Sequence, residues 1–384
     1  MVCDDNVNFD YNEEQQLLAA TVKRFIDKDY TFEARKKIVA SNDGYSNAIW
    51  STFAEIGLLG LPFPPDVGGF GGGAVDLMSV MEAIGEALVV EPYLSTVGLG
   101  AQFVARAGTN PQREALLPLV GAGKLKMAFA QTETGARYKL AHVATRAKPT
   151  SAGYTISGEK RIVVHAPCAD QLIVSARSSG GDTDPDGISV FVVDARAPGV
   201  SMNAYRTLDG LRAADVALKD VHVPADALVG QAGQGLALIE EVVDYATALL
   251  CAEAVGAIKY ANDATLEYLK TRKQFGAPIG SFQALQHRMV DMVISGEQAK
   301  SMAGLACAKV DSATVAGERK RVVSAAKIKI ADACRHVAQE AIQLHGGMGM
   351  SDELKISHTF RRLTMIAQQF GDADHHLERF AKAC

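Results

Sequence analysis

The 384-residue chain is 48% hydrophobic and 22% charged, the proportions of a folded globular protein rather than of a disordered or fibrous one. A formal net charge of -5 offers no basic footprint for nucleic acid. Six cysteines without CxxC spacing read as reduced thiols and exclude a zinc site, so no metal is expected. At this length two or three domains are expected. The N-terminus, Met1-Val-Cys-Asp-Asp-Asn6, is acidic and polar, unlike a signal or transit peptide, which predicts a cytoplasmic protein. Apolar residues at Leu17, Leu18, Val22, Phe25 and Ile26 predict one helix from Asn12 to Lys36. A second helix follows from Ser46 to Ile56. After the Pro/Gly loop Leu61–Gly73, helices resume at Asp76–Leu88, Ser95–Ala107 and Gln112–Val120. From Met127 the pattern turns to short β-branched runs: Met127–Thr132, Ala141–Ala147, Tyr154–Ile156, Arg161–Val164, Gln171–Ser175, Ile188–Val193 and Val216–Val221. Strands at this spacing predict a compact β-barrel or sandwich, with Ser178–Gly187 an exposed, mobile hairpin loop without chemistry. Beyond Gly235 helices return at Leu236–Arg272, Phe282–Lys309, Gly317–Leu344 and from about Asp352 onward, the pattern of an antiparallel four-helix bundle. The most apolar run, Ala246–Ile258, is interrupted by Glu253 and is too short to span a bilayer; it reads as a buried core helix. The fold class is therefore α+β multidomain. Residues 1–125 form an N-terminal α-helical domain, 126–230 a middle β-barrel-like domain, and 231–384 a C-terminal four-helix bundle.

The chemistry concentrates in Thr271-Arg-Lys-Gln-Phe-Gly-Ala-Pro-Ile-Gly-Ser-Phe-Gln283, which breaks one helical pattern and enters the next. A guanidinium there can grip pyrophosphate oxygens in bidentate fashion, and Phe275 can cover an aromatic face. The alternative is a plain turn between helices with a solvated arginine. Three further stretches bear on the choice. Gln343-Leu-His-Gly-Gly-Met-Gly349 lies about twenty residues before Arg361-Arg362. Gly158-Glu-Lys160 closes the β-rich middle, and Val223-Pro224 precedes Leu228-Val-Gly230.

In this order and at these separations the stretches resemble the acyl-CoA dehydrogenase family of flavoproteins, over essentially the whole chain. The segments Glu91-Pro-Tyr-Leu-Ser95 and Phe370-Gly-Asp-Ala-Asp-His-His376 resemble the small subunit of pimeloyl-CoA dehydrogenase and its steroid-degradation relatives. The resemblance implies an α–β–α fold, FAD as cofactor and α,β-dehydrogenation of an acyl-CoA to its 2-enoyl form. It also implies dimers or tetramers and electron transfer to an electron-transferring flavoprotein. By resemblance Phe129, Gln131 and Thr132 lie along the flavin. Arg272, Gln274, Phe275, Gln283, Gln343, Gly346 and Gly347 reach the ADP half of a neighbour's FAD. Gln274 replaces the usual Thr or Ser.

Three departures qualify that likeness. The family's base is a glutamate at the position of Phe370 or, in other members, of Ala246; neither residue here accepts a proton. Asp372 and Asp374 are the nearby carboxylates, either as substitute bases or as partners of backbone or flavin groups, Asp372 in the latter role. His375 and His376 read as capping or interface residues. The family's Trp/Phe-Ile-Thr-Asn motif is replaced by Ile162-Val-Val-His165, so Val164 keeps the shape of threonine without its hydroxyl. The serine that steadies CoA phosphates is gone, and Arg137 is either its substitute or a solvated loop residue. Groups serving a neighbour's cofactor persist while those serving this chain's own substrate are altered. The expectation is a base-lacking small subunit beside a glutamate-bearing large subunit, or a homo-oligomer. A dicarboxylyl-CoA or steroid-side-chain thioester is the expected substrate. The alternatives are a non-catalytic partner that only completes or scaffolds its mate, and base-independent elimination on an acyl-CoA. Acyl identity and electron acceptor are not fixed by the sequence.

Overall fold

The computed structural model describes residues 13–313 and 315–383, apart from the side chain at position 14. The acidic start Met1–Asn6, the helix start at Asn12, and the thiols of Cys3 and Cys384 lie outside the described residues. The expected first helix is two, α1 (Glu13–Asp29) and α2 (Phe32–Ala40). The chain turns at Tyr30, whose ring is buried, and Thr31 Oγ1 caps the new helix by accepting the Ala34 N–H at 3.2 Å. Next come α3 (Asn47–Glu55), capped by Ser46, and α4 (Ala74–Ala87). A π-helical stretch, Leu94–Gly100, runs into α5 (Ala101–Ala107), and a Thr109–Gln112 capping box opens α6 (Asn110–Gly121).

The strands are β1 (Met127–Ala130), β2 (Arg146–Thr150), β3 (Gly153–Val164), β4 (Gln171–Arg177), β5 (Ile188–Asp194), β6 (Val200–Arg206), β7 (Arg212–Pro224) and β8 (Leu228–Val229). Their order is β6-β7-β3-β2-β4-β5-β8, with β1 parallel beside β4. The sheet is mixed, and no pairing among the described strands joins β6 to the two-residue β8. It is therefore an open sheet, not the barrel-like closure expected. Ile156, Leu172, Val174, Phe191, Val193, Val216 and Val221 make its apolar core. Two expected strands, Tyr154–Ile156 and Arg161–Val164, are one strand, β3. Residues 141–145 are not strand, because Glu133 takes the N–H groups of Ala144 and Thr145 at 2.6 and 3.1 Å. β6 escaped sequence reading because its burial pattern lacks a regular apolar face. The Ser178–Gly187 loop is tied down rather than free. The buried guanidinium of Arg177 donates to the carbonyls of Asp182, Asp184 and Asp186 at 2.8–3.2 Å.

The last third comprises α7 (Gly235–Thr271), α8 (Gln283–Val310), α9 (Ala316–His345), α10 (Lys355–Gln368) and α11 (Ala373–Lys382). The helix expected from Asp352 onward thus ends at Gln368 and restarts, because Phe370 and Gly371 adopt φ of 60° and 121°. Helices α8, α10 and α11 all pack on α9. By contacts the chain falls into two compact units, residues 1–34, 74–89 and 248–384 in one, and 35–73 and 90–247 in the other. In the helical unit α4 crosses α7 at two glycines. A Cβ on Gly85 would stand 1.8 Å from the Glu253 carbonyl oxygen, and one on Gly256 would stand 1.8 Å from that of Glu82. No helix among the described residues is long and apolar enough to cross a membrane.

Candidate functional site

Helix α7 ends at Thr271, and the chain forms a two-residue hairpin, β9 (Lys273–Gln274) against β10 (Ala277–Pro278). Its turn, Phe275-Gly276, has φ of 53° and 81°. Left-handed values at both central residues match the twist of a tight hairpin, and glycine takes one without strain. Phenylalanine does not, yet its ring is 94% exposed, with only an edge contact to Phe282 at 6.2 Å. The Arg272 backbone is pinned at both ends, its N–H to Tyr268 and its carbonyl to Ile279, each at 2.8 Å. The side chains of Arg272, Gln274 and Gln283 are exposed to solvent.

The glycine stretch lies at the same end of the helical unit. Tyr268, one turn before Arg272, stacks on His345 with centroids 4.4 Å apart and planes at 24°. His345 Nδ1 is 2.8 Å from the Ala341 carbonyl, which fixes the ring. Burial lowers the His345 pKa, so the stacked ring is held neutral. Gly346 and Gly347 follow directly, both exposed, and a Cβ on either would meet open space. Gln343 is exposed one turn earlier. Through the Tyr268–His345 stack the arm carrying Arg272, Gln274 and Phe275 is joined to Gly346 and Gly347: a fork of donors, a bare ring and exposed glycine backbone, the Gly346 N–H itself donating to the Gln343 carbonyl. That combination suits a phosphate-bearing ligand with a flat ring.

At the other end of α9 the Phe370–Gly371 turn is held from beneath. Buried Lys327 donates to the carbonyls of Ile366, Ala367 and Gly371 at 2.9, 3.2 and 2.8 Å. The first two are among the carbonyls the end of α10 leaves without helical partners, and the third belongs to the turn itself. His376, also buried, lies 3.1 Å from the Phe370 carbonyl and 3.3 Å from Ser324 Oγ. Asp372 caps α11 by accepting the His375 N–H at 2.9 Å, and Asp374 is exposed in the first turn. Both aspartates line a cavity of about 350 Å³ with Asp332 and Arg335. Glu253, the charge inside the apolar run of α7, is gripped at both oxygens by Arg362 at 2.6 and 2.8 Å. Sequence reading missed Lys327 and the Glu253–Arg362 pair. Only the oddity of a charge within an apolar run pointed to the latter.

In the sheet unit, Phe129 is half-buried and packs on Phe103 at 4.6 Å. Gln131 donates to the Leu140 carbonyl at 2.8 Å, while its buried Oε1 has no partner. Thr132 is exposed beside it. Beneath them Lys160, fully buried, donates to Glu133 at 2.7 Å and Ser175 at 2.9 Å. Burial pulls the Lys160 pKa down to about 8 against the opposing pull of Glu133. Burial also opposes ionisation of Glu133, but the ammonium and the Ala144 N–H outweigh it and hold the carboxyl below its ordinary range. Val164 is half-buried. His165, at φ 62°, sits between Ser95 Oγ (2.8 Å) and the Val90 carbonyl (3.0 Å), an arrangement no sequence signal marked. Arg137 is exposed, its guanidinium 5.4 Å from the Tyr138 ring centroid. Ala246, in α7, is fully buried. Asp244 is also buried, but its two-residue offset puts it on another side of the helix. No cluster of metal-binding side chains occurs among the described residues.

Comparison with known proteins covers nearly the whole chain. Models of the acyl-CoA dehydrogenase N-terminal, middle and C-terminal domains match residues 12–124, 128–221 and 233–384. Acyl-CoA dehydrogenase FadE12 of Mycobacterium tuberculosis is 30% identical, over 94% of this chain and 94% of its own length. Among solved structures, one from the ChsE4-ChsE5 complex of Mycobacterium tuberculosis is 25% identical, with TM-score 0.88 and 98% of each chain covered. PigA with FAD and proline is 26% identical, with TM-score 0.90 and the same coverage.

Proposed function

The chain belongs to the acyl-CoA dehydrogenase family, and on that premise we propose that it is the base-lacking subunit of a heteromeric, FAD-dependent acyl-CoA dehydrogenase. Its role in that reading is to complete the cofactor site of a glutamate-bearing partner through the Arg272–Gln283 arm and the Gly346-Gly347 stretch. FAD, when bound, supplies a hydride acceptor for the β-carbon of an acyl-CoA. The chain's own residues fit the ADP half of that cofactor: an exposed guanidinium three positions from an exposed ring, and two exposed glycines with no side chain to bar a close approach. They fit the flavin half less fully. Gln131 keeps an orphaned oxygen and Thr132 an exposed hydroxyl, but Val164 has no hydroxyl to donate.

The observation that carries the proposal is the loss of the base. By the resemblance, the two positions where family members place a glutamate hold the phenyl ring of Phe370 and the methyl of Ala246, which is fully buried. Nearby carboxylates have other roles: Asp372 caps α11, and Glu253 is locked to Arg362. A base must lie within hydrogen-bond reach of the proton it removes. In this reading the partner supplies it, and the substrate is a dicarboxylyl-CoA or steroid-side-chain thioester. Electrons then pass to an electron-transferring flavoprotein. The ChsE4-ChsE5 complex supports a two-subunit assembly, and PigA supports the cofactor. The test compares flavin content and dye-reduction activity of the chain alone and co-purified with a glutamate-bearing homologue. The pair is expected to be active and flavin-loaded. Full activity of the isolated chain with a simple acyl-CoA overturns the proposal.

A further inference from the structure

The short helical turn Gly346–Met350 that follows α9 carries two methionines in solvent, Met348 at 50% and Met350 at 73% exposed. Every other methionine among the described residues is buried or half-buried, with Met81, Met127 and Met292 at 0%. The turn does not depend on either thioether. Its backbone is held by the Gly346 N–H on the Gln343 carbonyl and by the Ser351 N–H on the Met348 carbonyl at 3.1 Å. Gly349, between the two methionines, is buried, and a Cβ there would stand 2.8 Å from the Ile342 carbonyl oxygen. The turn therefore lies close against the end of α9 while both sulfur-bearing side chains stand outside it. A thioether so placed is open to oxidation in the folded chain, whereas a core methionine is reached only on unfolding.

We infer that Met348 and Met350 are a modification site, a peroxide-sensitive pair whose oxidation to the sulfoxide bars the free chain from completing its partner's cofactor site. The oxidant is hydrogen peroxide. A sulfur lone pair takes one peroxide oxygen, the O–O bond breaks, and the other oxygen leaves as water with both protons. Sulfur is oxidised by two electrons and peroxide is reduced by two. Oxidation turns a flexible apolar side chain into a polar one. Burying a polar group without a hydrogen-bond donor is unfavourable, so the damage is felt where another chain closes over the turn. The inference rests on the two-subunit reading above and adds to it a redox control that acts before assembly.

The test treats the full chain alone with dilute hydrogen peroxide, follows each methionine by peptide mass, and then adds the glutamate-bearing homologue and FAD. Met348 and Met350 are expected to gain oxygen at least about tenfold faster than Met81, Met127 and Met292. The Tm of the oxidised chain is expected to stay within about 1 °C of the untreated one, because the backbone bonds of the turn remain. Flavin retained by the pair is expected to fall about tenfold, and methionine sulfoxide reductase with a dithiol to restore it. A chain carrying both Met348→Leu and Met350→Leu, apolar but without sulfur, is expected to retain as much flavin after peroxide as before it. Equal oxidation rates across the methionines, or an equal peroxide loss in the double variant, overturns the inference. A Tm lowered by several degrees also overturns it, since the loss would then come from unfolding. If the untreated pair holds flavin and the oxidised pair holds as much, the inference alone fails. If the untreated pair holds none, the two-subunit reading fails and the inference with it.

Discussion

Arg272 shows what a single side chain can add in this fold. Its backbone is fixed by Tyr268 and Ile279, so the guanidinium fork starts from a rigid base. A charge-assisted hydrogen bond contributes about 1.5–3 kcal/mol. Arg272→Ala should therefore weaken FAD retention in the two-subunit complex by roughly 10- to 150-fold. Arg272→Lys should recover only part, since an ammonium keeps the charge without the planar fork. Gel filtration followed by flavin absorbance measures both. His376 gives a prediction of a different kind. Burial, then the cations Lys327, His375 and Arg379, push its pKa down to about 2. The imidazole stays neutral in the folded chain, whereas in the unfolded chain it titrates near pH 6.5, an order-of-magnitude reference value. Between those values the unfolded chain binds the extra proton. Stability from this group is complete above about pH 6.5 and falls toward pH 2 by up to roughly 1.4 kcal/mol per unit. Denaturant midpoints at pH 7 and pH 5 should show about 2 kcal/mol more acid loss in wild type than in His376→Gln. The residues of the arm were legible in the sequence because their types and spacing carry the chemistry. Lys327 was not, because its partners are backbone carbonyls 39 to 44 positions away, and carbonyls leave no letter in a sequence.

Among elements, the long helices were the most legible, with α7, α8 and α9 lying within a residue or so of their expected ends. Their apolar periodicity extends over many turns and averages out local exceptions. The strands were harder. β3 was read as two pieces because Ser157-Gly158-Glu159-Lys160, beside a register shift between Ile156 and Gly158, breaks the apolar alternation, and residues 141–145 mimic a strand whose N–H groups go instead to Glu133. The expectation of closure failed for a related reason: edge pairing is set by partners, not by local composition. The α4–α7 crossing was also invisible, since neither Gly85 nor Gly256 sits at a break in its helix. Gly85→Ala should force the two helices apart. We expect a loss of about 1–3 kcal/mol, against the small gain such a change brings in an isolated helix. Urea unfolding of the variant measures it, and an unchanged midpoint would show that the crossing relaxes freely.

For the whole molecule, the exposed apolar side chains bear on assembly. On α8, Val290, Val293 and Ile294 stand 55%, 42% and 49% exposed, at spacings that place them on one helix face. Under the proposed two-subunit function that face is covered by another chain. Ile294→Asp should leave the fold's own stability within about 0.5 kcal/mol, as for other surface changes. It should lower the mass of the complex measured by light scattering, because a carboxylate buried at an interface is costly. An unaltered mass would place the contact elsewhere. The switch in periodicity at Met127 marks where the strands begin, but the two compact units divide elsewhere, the sheet-bearing one also taking residues 35–73 and 90–126. The contribution of residues 74–89 to the same unit as the C-terminal helices could not be anticipated, because sequence order says nothing about which early helix packs on which late one.

The stack of Tyr268 on His345 has a consequence for descent. It couples the hairpin after α7 to the diglycine after α9, so damage to either ring would loosen both at once. Two peptide stretches some seventy positions apart are therefore expected to be inherited or discarded as a pair. Kin of this protein that have drifted away from flavin altogether should have lost both, whereas those still lodged beside a competent mate should retain both.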